Sequence, residues 1–155
     1  MKITRFIKLF IVLLFAIPAI GATQNEVKQA IIKQSKELGV EPAIMLSIAK
    51  NESGFRQEAR GGNSVGVFQL LPATAKRMGL NAYDLNDNIK GGILYYKSMY
   101  NMFGSMELAV AAYNTGAGAI KNNGNKVPSY VQGFVNRIMR DYRYYNATNW
   151  NWENI

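Results

Sequence analysis

Cysteine and histidine are both absent from the chain. The first absence excludes disulfides, thiolate zinc sites, a cysteine nucleophile and the lipidated cysteine of a bacterial lipoprotein. The second removes Ser-His-Asp triads, Cys-His pairs, HExxH metal sites and histidine bases. Acid-base chemistry therefore falls to Asp, Glu, Tyr or Lys. Neither a metal nor an organic cofactor is expected. No internal repeat and no interdomain linker is visible either, which points to one domain.

What is present is a chain of 155 residues with 48% hydrophobic content, enough to bury a real core. Lys2, Arg5 and Lys8 precede an apolar run from Leu9 to Ile17, and Ala19, Gly21 and Ala22 supply small residues for cleavage. This reads as a secretory signal peptide over 1–22, cut near Ala22. The run is shorter than the ~20 residues that cross a bilayer, so no stable membrane insertion is expected after cleavage. The leader holds three of the 18 Lys and Arg residues and none of the 10 acids, so the net charge falls from +8 to +5. An exported basic protein suggests an anionic partner outside the cytoplasm.

The rest reads as helices. Thr23 and Glu26 have capping-box spacing ahead of the stripe Val27, Ala30, Ile31 and Leu38, and Gly39 suits a stop. Glu41-Pro42 opens a second helix, which ends at Ser53-Gly54. From Phe55 to Gln69 the glycines 61, 62 and 66 predict a loop with one short hairpin. Pro72 starts a short helix ending at Gly79. Asp87 is the expected cap of a longer one, with a face of Ile89, Ile93, Tyr96, Tyr100 and Phe103. Ser105 caps the next, which carries Leu108, Ala109, Ala112 and Tyr113 to a stop at Asn114-Thr115-Gly116. A last helix begins near Pro128 with Val131, Phe134, Val135, Ile138 and Tyr142 inward, and a polar, aromatic tail fills 146–155. The expected class is a mainly α single domain over 23–145.

Glu52 is out of place in this pattern. It extends the apolar stripe Ile44, Met45, Ile48, Ala49, where another hydrophobe belongs. It also sits near a helix C-terminus, where the macrodipole opposes a negative charge. Burial there would strip water from the carboxylate and raise its pKa, so that it keeps a proton near neutrality. Such an acid beside a glycosidic oxygen is what general-acid cleavage of a sugar chain requires.

Five blocks recur around this residue: "ESGF" at 52–55, "SVGVFQLLPATA" at 64–75, "NIKGGILYY" at 88–96, "AAYNTGAGAI" at 111–120 and "VPSYV" at 127–131. In this order, over about 80 residues, the chain resembles the soluble lytic transglycosylases, whose catalytic domain is related to goose-type lysozyme. The resemblance implies a lysozyme-like α+β fold: one helical domain around a substrate groove, with at most one small β-hairpin. It also implies cleavage of the β-1,4 bond between N-acetylmuramic acid and N-acetylglucosamine in peptidoglycan, with no water as nucleophile. Glu52 would protonate the leaving oxygen, then take the proton of the sugar's carbon-6 hydroxyl as that oxygen closes a 1,6-anhydro ring. Tethering of the nucleophile supplies up to ~7 to 11 kcal/mol in ideal cases.

The remaining roles also follow from the resemblance. Gln69 would hydrogen-bond the acetamido group of the sugar. Tyr113 and Asn114 would hold Glu52 and line the cleft, Tyr95 and Tyr130 match tyrosines near the site, and Ser53 is the usual neighbour of the glutamate. Val67 and Phe68 replace the family's usual Leu-Met, a change expected to reshape the wall beside the scissile sugar. Small size without accessory domains resembles members that open the wall locally for secretion or conjugation machinery. An exported, monomeric protein of the periplasm or cell wall, acting on peptidoglycan glycan strands, is the expectation.

Two alternatives stay open. One is a muramidase-type hydrolase on the same fold, for which Glu58, Asp84 and Asp87 are the available acids, none in a matched block. The other is a non-catalytic wall-binding assembly protein. Other hints are weaker: "TGAGAI" reads as a helix stop plus turn, "ARGGNS" is a single RGG-like triplet, and no nucleic acid is expected. Trp150 and Trp152 in the tail could grip sugar rings or simply pack loosely.

Overall fold

The computed structural model describes residues 21–148. The expected leader thus falls almost wholly outside the described residues, as do Trp150 and Trp152. Seven α-helices, a 3-10 turn and a two-stranded hairpin follow one another among the described residues. They are α1 (Gln24–Glu37), α2 (Pro42–Ser53), β1 (Arg60–Gly61), β2 (Ser64–Val65), α3 (Pro72–Arg77), α4 (Leu85–Phe103), α5 (Met106–Thr115), α6 (Ala117–Asn122), the 3-10 turn Ser129–Val131, and α7 (Gln132–Ala147). The mainly α architecture with one small hairpin is the one expected. No helix among the described residues is long and apolar enough to cross a membrane.

α2 is the central helix. Every residue from Ala43 to Ala49 is buried, so it has no solvent face over two turns, as befits a helix that is apolar all round. α7 and α1 pack on it, and α4 and α5 pair beside them. Only the last turn of α2 reaches the surface. The first helix starts as its spacing predicts: the Thr23 hydroxyl accepts from the Glu26 amide at 3.3 Å, and the Glu26 carboxylate accepts from the Thr23 amide at 2.7 Å.

Four local expectations are corrected. α4 begins at Asp84, not Asp87: the Asp84 carboxylate accepts from the Asp87 amide at 3.0 Å, while Asp87 accepts from the Asn81 amide at 2.9 Å. Both aspartates are thus used, one to cap the helix and one to hold the preceding turn. Tyr100 lies off the buried face, 44% exposed and stacked on Tyr96, because the inward row continues through Met99. The stretch after Tyr113 is more than a turn. Gly116, at φ 81°, ends α5 and at once begins α6, a reversal that a side chain would strain. The last helix starts at Gln132, after the 3-10 turn, and runs two residues past Tyr145.

Between α2 and α3 the chain crosses α4 without forming regular structure beyond the hairpin. Two glycines let it approach. A Cβ on Gly92 would overlap the Cβ and ring of Phe68, and one on Gly91 would overlap Leu70. The loop's buried polar groups are met by side chains. Asn88, fully buried, accepts from the Phe68 amide at 2.9 Å and donates to the carbonyls of Val65 and Ala82 at 2.9 and 2.8 Å. Gln57 accepts from the Val67 amide at 3.2 Å and donates to the Tyr83 carbonyl at 3.1 Å.

The end of α2 is fastened to α7 by Asp141, which is only 4% exposed. Its carboxylate accepts from Asn51 Nδ2 at 2.9 Å and pairs with Lys50 and Arg140 at 3.2 Å each. Burial pushes this carboxyl up, but the hydrogen bonds from Asn51, Lys50 and Arg140 outweigh it and hold the pKa below the usual aspartate value.

Asp141→Ala is expected to cost about 1 to 3 kcal/mol, since both cations are half-exposed and resolvate. On a chain this size that lowers the midpoint of thermal unfolding by about 3 to 9 °C. A depressed carboxyl stabilises the fold above its ordinary titration range and loses that contribution as pH falls through the folded value. The deficit of the variant, read by thermal melts, therefore shrinks as the solution is acidified. Gly92→Ala is expected to destabilise by about 1 to 3 kcal/mol despite alanine's better helix propensity. In a Phe68→Met background the penalty falls, because methionine adapts to the added methyl, and a double-mutant cycle reads the coupling.

Candidate active site

Glu52 projects from the last turn of α2 into a cleft of about 410 Å³, a volume in the range of ligand sites. One wall comes from the hairpin and the start of α3, through Ser64, Gln69, Leu70, Leu71 and Thr74. The other comes from α4 and the end of α5, through Tyr95, Tyr113, Asn114, Thr115 and Gly116. Among the described residues Glu52 is the one charged residue in this lining.

Its carboxyl is half-buried, and burial pushes the pKa up from 4.5 to about 7. Among the described residues no salt bridge or hydrogen bond engages it. An unpaired carboxyl in a drying environment keeps its proton because the charged form loses hydration without compensation. Two adjacent residues in the left-handed region close the helix after it: Gly54 at φ 62° and Phe55 at φ 65°. For phenylalanine that conformation is strained, and strain of this kind gathers at functional sites. Burial of the Phe55 ring, with Lys28 Nζ 4.9 Å above its centre, holds it in place.

The expected partners of Glu52 divide into those that line the cleft and those that support it. Tyr113 lines it at the base, but its hydroxyl donates to the Phe68 carbonyl at 2.8 Å, so that proton is committed away from Glu52. Burial drives the phenol well above its ordinary pKa, and the neighbouring Glu52 and Tyr95 add to this. Tyr95 packs edge-on against Tyr113, with ring centres 5.2 Å apart at 63°. Asn114 is exposed on the cleft wall beside Thr115, whose hydroxyl donates back to the Ala111 carbonyl at 2.9 Å.

Gln69 also lines the cleft, at φ 46°, a second strained residue at this site. Its Nε2 donates to the carbonyls of Gly66 at 2.9 Å and Ala59 at 3.4 Å. Oε1 lies 2.9 Å from Ser64 Oγ and keeps a second acceptor position open. The free capacity of the amide is therefore acceptor, with donors spent inside the hairpin.

Ser53, Phe68 and Tyr130 are elsewhere. Ser53 is buried and ties α2 to the loop, donating to the Val67 carbonyl at 2.8 Å and accepting from the Arg56 amide at 3.1 Å. Val67 and Phe68 have no exposure at all. They do not form the cleft wall expected of them; the larger ring at 68 is received by Gly92 instead. Tyr130 is 75% exposed on the 3-10 turn, outside the cleft lining. Residues that sequence reasoning did not single out fill the gap: Ser64, Leu71, Thr74 and Thr115 in the wall, and Asn88 behind it. Asn88 is the first letter of the "NIKGG" block and Thr74 belongs to "PATA", so both were in view, but nothing local marks which way either points.

Among the described residues no cluster of three or more acidic side chains is placed to hold a metal ion. The site is a groove with one half-buried carboxyl at its floor, its pKa raised to about 7, and acceptors, hydroxyls and aromatic edges on its walls.

Comparison with known proteins bears on the family and the fold. A transglycosylase of Enterobacteria phage PRD1 is 34% identical over 98 residues, which cover 62% of this chain and 37% of that protein. The membrane-bound lytic murein transglycosylase C of Actinobacillus pleuropneumoniae serotype 5b is 30% identical over 109 residues, covering 57% of this chain and 30% of the relative. The chain thus spans about a third of the length of these relatives. Among solved structures, the lytic transglycosylase Slt of Pseudomonas aeruginosa superposes with a TM-score of 0.69 at 22% identity, over 78% of this chain and 24% of that one. The 70 kDa soluble lytic transglycosylase of Escherichia coli does so with a TM-score of 0.66 at 22% identity, over 76% and 24% respectively. Both likenesses show a shared fold. The Transglycosylase SLT domain family matches residues 29–132, and with that match over most of its length the chain belongs to this family.

Proposed function

We propose that the protein is a lytic transglycosylase that cuts peptidoglycan glycan strands between N-acetylmuramic acid and N-acetylglucosamine and leaves 1,6-anhydro ends. The observation that carries this reading is Glu52: the one acid lining the cleft, with a pKa raised to about 7 by burial. A hydrolase of the two-carboxylate kind needs a second acid across the sugar, and none lines this cleft among the described residues.

The protonated carboxyl gives its proton to the bridging oxygen as the bond from carbon 1 breaks. Positive charge on carbon 1 is shared by the carbonyl of the sugar's own acetamido group, whose N–H is oriented by the open acceptor of Gln69 Oε1. The ionised Glu52 then removes the proton from the carbon-6 hydroxyl while that oxygen bonds to carbon 1. No water is consumed: the first proton stays on the leaving sugar's new hydroxyl, and Glu52 regains one from the carbon-6 hydroxyl. A pKa near neutrality serves both halves, since the group must be a competent acid first and a base second. Asn114 and Tyr95 line the path of the glycan, and Leu71 offers an apolar contact for a sugar face. Tyr113 and Ser53 act indirectly, by holding the loop that carries Gln69. The relatives' names, which include a membrane-bound murein enzyme, and the basic, apolar first 22 residues support export to the periplasm. Local wall opening for a secretion or conjugation apparatus is part of the same proposal and rests on the family resemblance alone.

Glu52→Gln keeps the shape and removes the proton. It is expected to lower lysis of purified sacculi by about a thousandfold or more, with unchanged circular dichroism. Mass analysis of the wild-type digest is expected to give anhydromuramic ends; reducing muramic acid would instead establish a hydrolase. The ratio kcat/KM is expected to fall as pH rises through about 7, as the acid is lost. Stability responds to the same group. A carboxyl with a raised folded pKa binds its proton more tightly in the native state, so the fold weakens as pH climbs from 4.5 to about 7. Glu52→Gln is therefore expected to be more stable than wild type at pH 8, by about 1 to 3 kcal/mol, and to match it near pH 4.

A further inference from the structure

Among the described residues no cation lines the cleft, although the chain carries a net charge of +8 and an anionic partner is expected. Positive charge next to the groove comes from α3. Thr74 lines the cleft, and Arg77, three residues on and therefore on the same helix face, donates from Nη2 to Thr74 Oγ1 at 3.1 Å. Because Thr74 accepts that bond, its own hydroxyl proton is free to point into the groove. Arg77 is exposed and makes no salt bridge among the described residues, and the remaining guanidinium donors are unspent. Its charge also reaches across the opening. Burial raises the phenol of Tyr95 on the opposite wall, and Arg77 acts against that rise.

We infer that Arg77 and Thr74 form a subsite at the cleft rim for a carboxylate of the peptide stem attached to the muramic acid. This rests on the glycan-cleaving reading. The sugars themselves are neutral once the lactyl group is joined to its stem, so the anionic chemistry of this polymer lies in the stems, which leave the glycan sideways. A guanidinium held at the rim by a threonine matches that position. Its planar fork suits a carboxylate in two-point contact, which an ammonium does not reproduce. The pair therefore selects stem-bearing strands over stripped ones, and does so through binding. Lys76, one residue back and turned well away from the Thr74 face by helical geometry, carries the same charge without the same reach.

The test compares digestion of intact sacculi with digestion of glycan strands freed of stems by an amidase and then methylamidated at the lactyl carboxylates that the amidase exposes, so that the stripped polymer carries no anion. Wild type is expected to show the lower KM on the stem-bearing polymer. Arg77→Ala is expected to raise that KM about tenfold, the loss of one charge-assisted contact, with kcat unchanged and little effect on stripped strands. Arg77→Lys is expected to recover only part of the loss, and Lys76→Ala to behave as wild type. Equal effects of Arg77→Ala on both polymers, or a wild type indifferent to stems, would overturn the inference. Sedimentation of the Glu52→Gln protein with each polymer, with and without Arg77→Ala, reads the same preference without turnover. If wild type cleaves neither polymer, the catalytic proposal fails. The sedimentation result then stands by itself: stem preference lost with Arg77 supports the subsite, and its absence refutes it.

Discussion

A loop of buried backbone must be satisfied without a sheet or helix to do it, and the site depends on how that is done. Val65, Val67 and Phe68 are buried, so their amides and carbonyls have no water to turn to. Asn88 uses its whole amide on this loop and the turn at Ala82, Ser53, Gln57 and Tyr113 meet the other groups of Val67 and Phe68, and the Val65 amide donates to the Leu70 carbonyl at 3.1 Å. These side chains come from the end of α2, the following turn, α4 and α5. The loop is thereby the point where the elements bearing Glu52, Tyr95, Asn114 and Gln69 are locked into one frame. Gly91 and Gly92 set how close it lies, because an added methyl would meet Leu70 or Phe68.

The same frame explains how a carboxyl comes to be dry. α2 is enclosed on all sides, which leaves its final turn as the only part that opens to a groove, and Asp141 fixes that turn to α7 through Asn51 and Lys50. The two carboxylates are opposites. Asp141 is buried but supplied with three donors, so it ionises easily and stabilises; Glu52 is half-buried with none, so it resists ionisation and costs stability at high pH. Two φ values in the left-handed region, at Phe55 and Gln69, add strain on either side of the cleft. The core beneath tolerates this because the strained residues are anchored, one by burial and one by its hydrogen bonds within the hairpin.

The existence of every helix but α6 was legible from spacing and caps: the Thr23–Glu26 box, Pro42 in a first turn and Ser105 as a cap all recur in the structure, whereas α6 lies where a stop and turn were read. Boundaries were less so. Asp84 and Asp87 are equally good caps by chemistry, and the choice between them was made by the Asn81 amide, which recruits Asp87. Tyr100 fits an inward stripe by count, yet lies outside because the row shifts to Met99. At the site, the oddity of Glu52 was visible as a carboxylate in an apolar stripe. The burial of Ser53 and Phe68 was not, since neighbours in a motif need not share a direction.

Composition and periodicity alone determined that this would be a mainly helical domain whose acid-base chemistry must run through carboxyl, phenol or amine groups, because no cysteine or histidine exists to do it. Which of the acids is stripped of water, and which side chains face the groove rather than brace it, was decided by tertiary packing. The reason is physical: a pKa and a hydrogen-bond partner are properties of surroundings drawn from distant parts of the chain. Asn88, Val65 and Ala82 become neighbours only after the helices have met.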